Sequence, residues 1–329
     1  MSQGVDAQLA RATELLRQGE LVAFPTETVY GLGADAANPR AVAKIFAAKG
    51  RPADHPLIVH LASAAAMTAW ARDLPPAAHA LAAAFWPGPL TLILKRAAHV
   101  SDAVTGGQDT VGLRVPDHPL ALDLLARFAG KNFGGLAAPS ANRFGRVSPT
   151  TAAHVRSELG AAVALVLDGG PCTVGIESTI VDLSRGSAVV LRPGAIGRAA
   201  LARVLGSAVA EGAAPGAPRV PGSLAAHYAP ATPLRLVAGA ELSAAVQAAR
   251  KQGMRVAALA RREPSDAVWR QAAAEPAAYA HDLYATLRAL DASGVDLILV
   301  ETVPGAADWA AVADRLRRAA SGGSAPDDI

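Results

Sequence analysis

One cysteine, Cys172, in 329 residues leaves no possibility of an intrachain disulfide or of a cysteine-built metal cluster. That scarcity fits a reducing compartment, and a small buried hydrophobe is the favoured role for Cys172 over a nucleophile. Aromatics are scarce as well, at 4% of a chain that is 51% hydrophobic. The balance is made up by Ala, Val and Leu, which suit helices and parallel strands covered on both faces. No apolar run approaches the roughly 18 residues of a membrane span. The stretch Met1 to Ala12 carries Asp6 and Arg11 and no apolar h-region, so a non-exported, cytoplasmic protein without membrane association is expected. Long basic runs are also missing: the net charge is +3, a surplus that helps anionic ligands approach but does not mark a dedicated nucleic-acid binder. No G-x-x-x-x-G-K-[ST], H-E-x-x-H, C-x-x-C or G-x-S-x-G string occurs, which removes the main support for P-loop, zinc-hydrolase and serine-hydrolase readings. Any ATP must be cradled in another way.

What is present reads as α/β. Helical spacing is predicted from Val5 to Gly19, Pro39 to Ala48, Pro75 to Phe85, Pro119 to Ala129 and Thr150 to Leu159. Strand-like runs lie at Leu21–Phe24, Leu57–His60, Leu90–Leu94, Val111–Val115, Val163–Leu167, Ser178–Leu183 and Ala188–Leu191, and their late clustering predicts a mixed sheet. The Pro- and Gly-dense text from Ala210 to Gly222 predicts an extended linker without regular structure. Beyond it, strands at Leu234–Val237, Met254–Ala260 and Leu297–Glu301 alternate with helices at Leu242–Gln252, around Val268–Ala274, at Tyr279–Ala292 and at Trp309–Ala319. This predicts a small three-layer parallel-sheet domain. The expected division is a first domain over 1–200, a linker over 201–232, a second domain over 233–322 and a frayed tail over 323–329, with fraying beginning near Ser321.

Polar strings punctuate the strand ends, where open α/β sheets bind ligands. Pro25-Thr26-Glu27-Thr28-Val29-Tyr30-Gly31-Leu32-Gly33-Ala34-Asp35-Ala36 follows the first strand. Its Gly31, Gly33 and Ala36 match G-x-G-x-x-A. That dinucleotide fingerprint, however, wants its first glycine directly after the strand, and Pro25 to Tyr30 intervene. A plain turn capped by Thr28 explains the glycines but not the polar string. Lys49 and Arg51 close a helix, where cations complement the dipole; Pro52 then makes a rigid turn that would hold Arg51 outward for a phosphate. His60 ends an apolar strand, where ligand-binding and core roles are equally open. Arg114 sits inside an apolar strand and must meet a carboxylate, from the protein or from substrate, with substrate favoured. Ser140, Asn142, Arg143, Arg146 and Ser148 cluster in one loop that suits phosphate and ribose contacts or an ordinary Asx turn. Gly175 to Asp182 and Leu191-Arg192-Pro193-Gly194 complete the set, the latter again presenting an arginine at a rigid strand end.

In this order the strings resemble the YrdC-like family, joined by Phe85-Trp86-Pro87-Gly88-Pro89-Leu90-Thr91. The linker's Pro221-Gly222-Ser223-Leu224-Ala225-Ala226-His227-Tyr228-Ala229-Pro230 is similar to the Pro-Gly-x-x-x-x-His-Tyr-x-Pro signature of that family's long form. The resemblance implies a YrdC-like twisted mixed sheet followed by a smaller Rossmann-like domain. It implies an ATP-dependent nucleotidyl transfer in which L-threonine and bicarbonate form a carbamate that attacks the α-phosphate of Mg2+-ATP. The products would be threonylcarbamoyl-AMP and pyrophosphate, with a downstream transferase complex passing the group to transfer RNA. By similarity Thr28, His60, Arg114 and Ser178 hold threonine. Arg51, His55, Thr110, Ser140, Asn142, Ser148, Arg192 and Tyr228 meet ATP, and Lys49 and Arg51 supply charge at the reacting phosphates. Mg2+ is expected with the nucleotide and no protein-ligated metal is expected. Two positions depart from the family pattern: His55 stands where many relatives carry Asn, and Ala138 where they often have Ser. Tyr228 in the linker implies that this segment acts as a lid. Rival readings are a hydrogenase-maturation type of carbamoyl transfer, disfavoured by the missing cysteines, and a non-enzymatic RNA-binding protein with weak, salt-sensitive affinity.

Overall fold

The computed structural model describes residues 3–130 and 133–322. The chain divides into two compact units. The first comprises 1–143, 149–173 and 177–223, and the second comprises 144–148, 174–176 and 224–329.

In the first unit the elements run α1 (Gln3–Arg17), β1 (Val22–Phe24), β2 (Gly31–Asp35), α2 (Pro39–Lys49), β3 (Ile58–His60), α3 (Met67–Trp70), α4 (Pro76–Phe85), β4 (Leu90–Lys95), α5 (Asp102–Thr105), β5 (Thr110–Arg114), α6 (Pro119–Ala129), β6 (Leu136–Ala137), α7 (Ala152–Leu159), β7 (Leu165–Val166), β8 (Thr179–Asp182), β9 (Val189–Arg192), α8 (Arg198–Leu205) and β10 (Ala210–Glu211). Among the described residues the strands form one mixed sheet in the order β10-β9-β8-β4-β5-β3-β6-β2-β1-β7. Both faces are covered. Val22 and Phe24 of β1 join a cluster with Leu9, Leu16, Leu124 and Leu125 of α1 and α6, while the intervening Ala23 joins a larger cluster with Val42 and Ile45 of α2. Alternation along one strand thus feeds two cores, and this is why β1 reads as an unbroken apolar run.

Two departures from the expected elements have simple causes. β2 is absent from the strand-like runs because Gly-Leu-Gly-Ala-Asp is poor in strand formers, yet it pairs antiparallel with β1, Gly33 opposite Val22. A side chain at Gly33 would come within 2.8 Å of the Phe24 ring, so this glycine serves close packing and not a phosphate turn. β10 lies inside the stretch expected to be without regular structure: Ala210 and Glu211, its first two residues, pair parallel with Val189 and Val190 ahead of the first glycine, Gly212.

The second unit contains β11 (Leu234–Val237), α9 (Leu242–Lys251), β12 (Val256–Ala260), β13 (Val268–Gln271), α10 (Pro276–Asp291), β14 (Leu297–Glu301) and α11 (Ala310–Ser321). The sheet order is β11-β14-β12-β13, parallel throughout. The expected helix around Val268–Ala274 is instead the edge strand β13, whose largely exposed side chains give no apolar period to read; pairing with β12 decides its conformation. Ser321 still belongs to α11, and the expected tail at 323–329 lies outside the described residues. No helix among the described residues is long and apolar enough to cross a membrane.

Candidate active site

Local chemistry presents each functional side chain in the first unit. After β1, the Thr26 hydroxyl accepts from the amides of Thr28 and Val29 at 3.2 Å each, donates to the Val29 carbonyl at 2.6 Å, and lies 2.8 Å from the Thr28 hydroxyl. This threonine turn fixes the loop and buries Thr28 beside Glu27. Glu27 accepts from the Asp117 amide at 3.0 Å and faces Arg114 across 2.7 Å, an ion pair whose angles fall short of a hydrogen bond. Glu27 thus gives the buried guanidinium of Arg114 a counter-ion from the protein itself, one of the two carboxylate sources that the sequence leaves open.

The sheet register then assembles a transverse row. Arg114 of β5 pairs with His60 of β3, and the pairing of Leu92 with Leu113 brings Thr91 of β4 beside Arg114. The Thr91 hydroxyl lies 2.8 Å from that of Ser178, just before β8. Three of the expected threonine residues, His60, Arg114 and Ser178, thus share one row, and Thr28 follows Glu27 in the chain and is bonded to Thr26. His60 is fully buried; burial, followed by the neighbouring Arg114, pushes its pKa down to about 3, so the ring is neutral. Among the described residues its Nδ1 has no hydrogen-bond partner. A buried polar atom of this kind is suited to a ligand.

The cationic group stands next to this row. Asn38 caps α2 by accepting from the Arg40 and Ala41 amides at 3.1 and 3.3 Å, Pro39 opens the helix, and Gly50 at φ 61° stops it, so Lys49 and Arg51 fall at its C-terminal end. Lys49 is buried and donates to the carbonyls of Ser140 and Asn142 at 2.6 and 2.5 Å. Burial, with Arg51 adding to it, pulls its pKa well below the usual lysine value. Lys49 therefore ties down the Ser140–Asn142 loop. Arg51 donates to the Pro56 carbonyl at 2.8 Å, and His55 is drawn below its ordinary pKa by burial and by Arg51. Arg192 donates to the Ser178 carbonyl and hydroxyl at 2.9 and 3.1 Å, and to the Pro221 carbonyl at 2.9 Å. Thr110 opens β5 and Arg114 closes it, on the same face but roughly 13 Å apart at 3.3 Å per residue.

Two participants went unassigned in the sequence. Glu27 was signalled by the buried Arg114, which needed an acid. Arg219 of the linker carried no signal: its amide donates to Gln108 at 2.7 Å, and its guanidinium donates to the Asp54 and Gly106 carbonyls at 3.1 and 2.9 Å. Ser148 and Tyr228 belong to the second unit. There Tyr228, at φ 61°, packs on the ring of Tyr284 and under the Arg315 guanidinium, 5.1 Å from its centroid.

Comparisons with known proteins show the family. Residues 14–194 match the Sua5/YciO/YrdC family, described as telomere recombination, and residues 196–321 match the threonylcarbamoyl-AMP synthase C-terminal domain. The chain is 41% identical to the threonylcarbamoyl-AMP synthase of Bacillus subtilis, over 96% of this chain and 94% of the relative. It is 38% identical to that of Pyrococcus abyssi, over 94% and 92% respectively. The crystal structure of P. abyssi Sua5 complexed with L-threonine superposes with a TM-score of 0.90 at 37% identity, covering 95% of this chain and 94% of that one. The chain belongs to the Sua5/YciO/YrdC family, in the form that carries the threonylcarbamoyl-AMP synthase C-terminal domain.

Proposed function

We propose that this protein is a threonylcarbamoyl-AMP synthase that makes its product from L-threonine, bicarbonate and Mg2+-ATP. The observation that carries the reading is the row in which His60, Arg114 and, through Thr91, Ser178 line up beside a buried guanidinium and its carboxylate partner Glu27. Relatives of the same name and a relative solved with L-threonine support it.

In this reading Arg114, balanced by Glu27, directs its guanidinium edge at the threonine carboxylate, while neutral His60 and the Ser178 and Thr28 hydroxyls bond the rest of the amino acid. Threonine's amine and bicarbonate yield a carbamate and water. A carbamate oxygen then forms a bond to the α-phosphorus, and the bond from that phosphorus to the bridging oxygen of the β-phosphate breaks, releasing pyrophosphate. Arg51 and Arg192 offset the developing charge, and Lys49 acts by holding Ser140 and Asn142 against the nucleotide. Thr110 and His55 complete the ATP contacts, and for Ser148 and Tyr228 the assignment rests on the motifs in which they stand. Mg2+ arrives with the triphosphate as part of the substrate. The Arg219–Pro221 stretch, bonded to the Asp54 and Gly106 loops and to Arg192, acts as a lid. A downstream transferase would consume the labile adenylate.

The test is mass spectrometry of the nucleotide formed from 13C-bicarbonate, L-threonine and Mg2+-ATP. A 13C-labelled threonylcarbamoyl-AMP, with one pyrophosphate per product, is expected. Pyrophosphate release without threonine, or no labelled adenylate, would overturn the reading.

A further inference from the structure

Three side chains on one face of α10 reach two segments, 145–148 and 228–232, that carry the expected ATP contacts Ser148 and Tyr228, and all of these residues lie within the second unit. Tyr284, Arg288 and Asp291 stand at i, i+4 and i+7, so they form a stripe along the helix. Tyr284 stacks on the Tyr228 ring, with centroids 5.8 Å apart and planes at 29°. Arg288 donates to the Val147 carbonyl and, at 3.4 Å, to the Ser148 carbonyl. Asp291 holds both segments at once. Its Oδ2 accepts from Arg146 at 3.1 Å and from the Ala231 amide at 2.9 Å, and its Oδ1 accepts from the Thr232 amide at 2.8 Å.

Asp291 does not stand where helix physics favours an acid. It is the last residue of α10, where the macrodipole prefers a cation such as Arg288 one turn earlier. Burial raises its pKa as well, but the Ala231 and Thr232 amides, the Thr232 hydroxyl and Arg146 outweigh burial and hold the carboxyl below its ordinary value. An acid that stands against both dipole and burial is explained by what it joins. The two segments also touch directly: the Ala229 amide donates to the Gly145 carbonyl at 2.8 Å, and Arg146 and Ala229 form a parallel bridge. Beside that bridge Tyr228 holds φ at 61°, a left-handed value that a tyrosine keeps only when its surroundings impose it. The Tyr284 ring against its side chain and Asp291 on the amides just beyond it supply that constraint.

We propose that Asp291 is a positioning residue for the nucleotide: by gripping Arg146 on one side and the Ala231 and Thr232 amides on the other, it sets Ser148 and Tyr228 in register with each other. The proposal rests on the ATP role given above to those two residues.

Kinetics of the full chain in the parent, Asp291→Asn, Arg146→Met and the double variant test this. Asparagine is isosteric and keeps an acceptor for one amide, and the Arg146 side chain is 36% exposed, so neither change threatens the fold. Each single change is expected to raise the KM for ATP about tenfold, with kcat and the KM for L-threonine within about twofold of the parent, and equilibrium dialysis of Mg2+-ATP should show the same loss. The double variant should be no worse than Asp291→Asn alone, because both changes break one contact. A product of the two effects, about a hundredfold, would mean that Arg146 and Asp291 act separately and would overturn the proposal. A fall in kcat or in the urea midpoint with both KM values unchanged, the mark of a purely structural role, would also overturn it. A parent chain that binds no Mg2+-ATP would overturn the ATP reading and this proposal with it, an outcome seen before any variant is made.

Discussion

In the first unit Arg114 and Glu27 meet at 2.7 Å with both side chains 5% exposed, whereas in the second Arg255 and Asp296 meet at 2.9 Å with 69% and 43% exposure. The distances are nearly equal and the surroundings opposite. The outer pair draws the Asp296 carboxyl down to about 2, chiefly through the hydrogen bond from Arg255, yet water screens it and two mobile side chains lose entropy. The inner pair has shed its water, a cost of several kcal/mol per ion that attraction only offsets. A fold seeking stability alone would do as well with hydrophobic residues there. The inner pair is better explained by the substrate-binding role proposed for its row.

The comparison can be broken by removing one charge from each pair. Arg114→Ala leaves Glu27 buried without a counter-ion and is expected to destabilise the first unit by about 3–5 kcal/mol in urea unfolding, with pyrophosphate release lost. A loss below about 1 kcal/mol would equate the two pairs. Lys49→Met removes two hydrogen bonds to the Ser140–Asn142 loop, at a cost of roughly 2 kcal/mol and a KM for ATP about tenfold higher; unchanged steady-state kinetics would deny Lys49 that positioning role.

His60 sharpens the contrast through pH. Its folded pKa of about 3 lies below the unfolded value of about 6.5, so between these the unfolded chain binds the extra proton. The stabilisation from a neutral buried ring is complete above about 6.5 and is lost as pH falls toward 3. The slope reaches at most about 1.4 kcal/mol per pH unit. Urea midpoints between pH 7 and 5 should fall less steeply in His60→Gln, and an identical slope would contradict the burial argument. Arg219→Ala, at an exposed side chain, is expected to cost under about 1 kcal/mol while raising the KM for ATP a few-fold. At the end of the series, Arg255→Ala should leave the unfolding midpoint and the kinetics unmoved.

Legibility in the sequence followed the same division between buried and exposed. Helices with strong apolar periods and caps, such as α6 over Pro119–Ala129, were readable to the residue, because Pro at the start and Gly130 after the end bound an amphipathic run. Strands of two to five residues with weak composition, β2, β10 and β13, were not, since pairing and not propensity forms them. The candidate site residues stand out in the sequence as polar groups at strand ends, and the need of Arg114 for an acid was readable from its apolar neighbours. Which acid it meets was not, because Glu27 reaches it only through the folded row. The hold of Lys49 on the Ser140 and Asn142 carbonyls was hidden for the same reason: backbone acceptors leave no mark on composition.

The most direct measurement of the central claim is the KM for L-threonine and for ATP, by pyrophosphate release, in Arg114→Lys. This variant keeps a cation for Glu27 but loses the planar fork that matches a carboxylate. The account expects the KM for threonine to rise at least tenfold with the KM for ATP within about twofold of the parent, a loss of some 1.4 kcal/mol confined to one substrate. Equal changes for both substrates, or none for threonine, would mean that the buried row around Arg114 does not hold the amino acid.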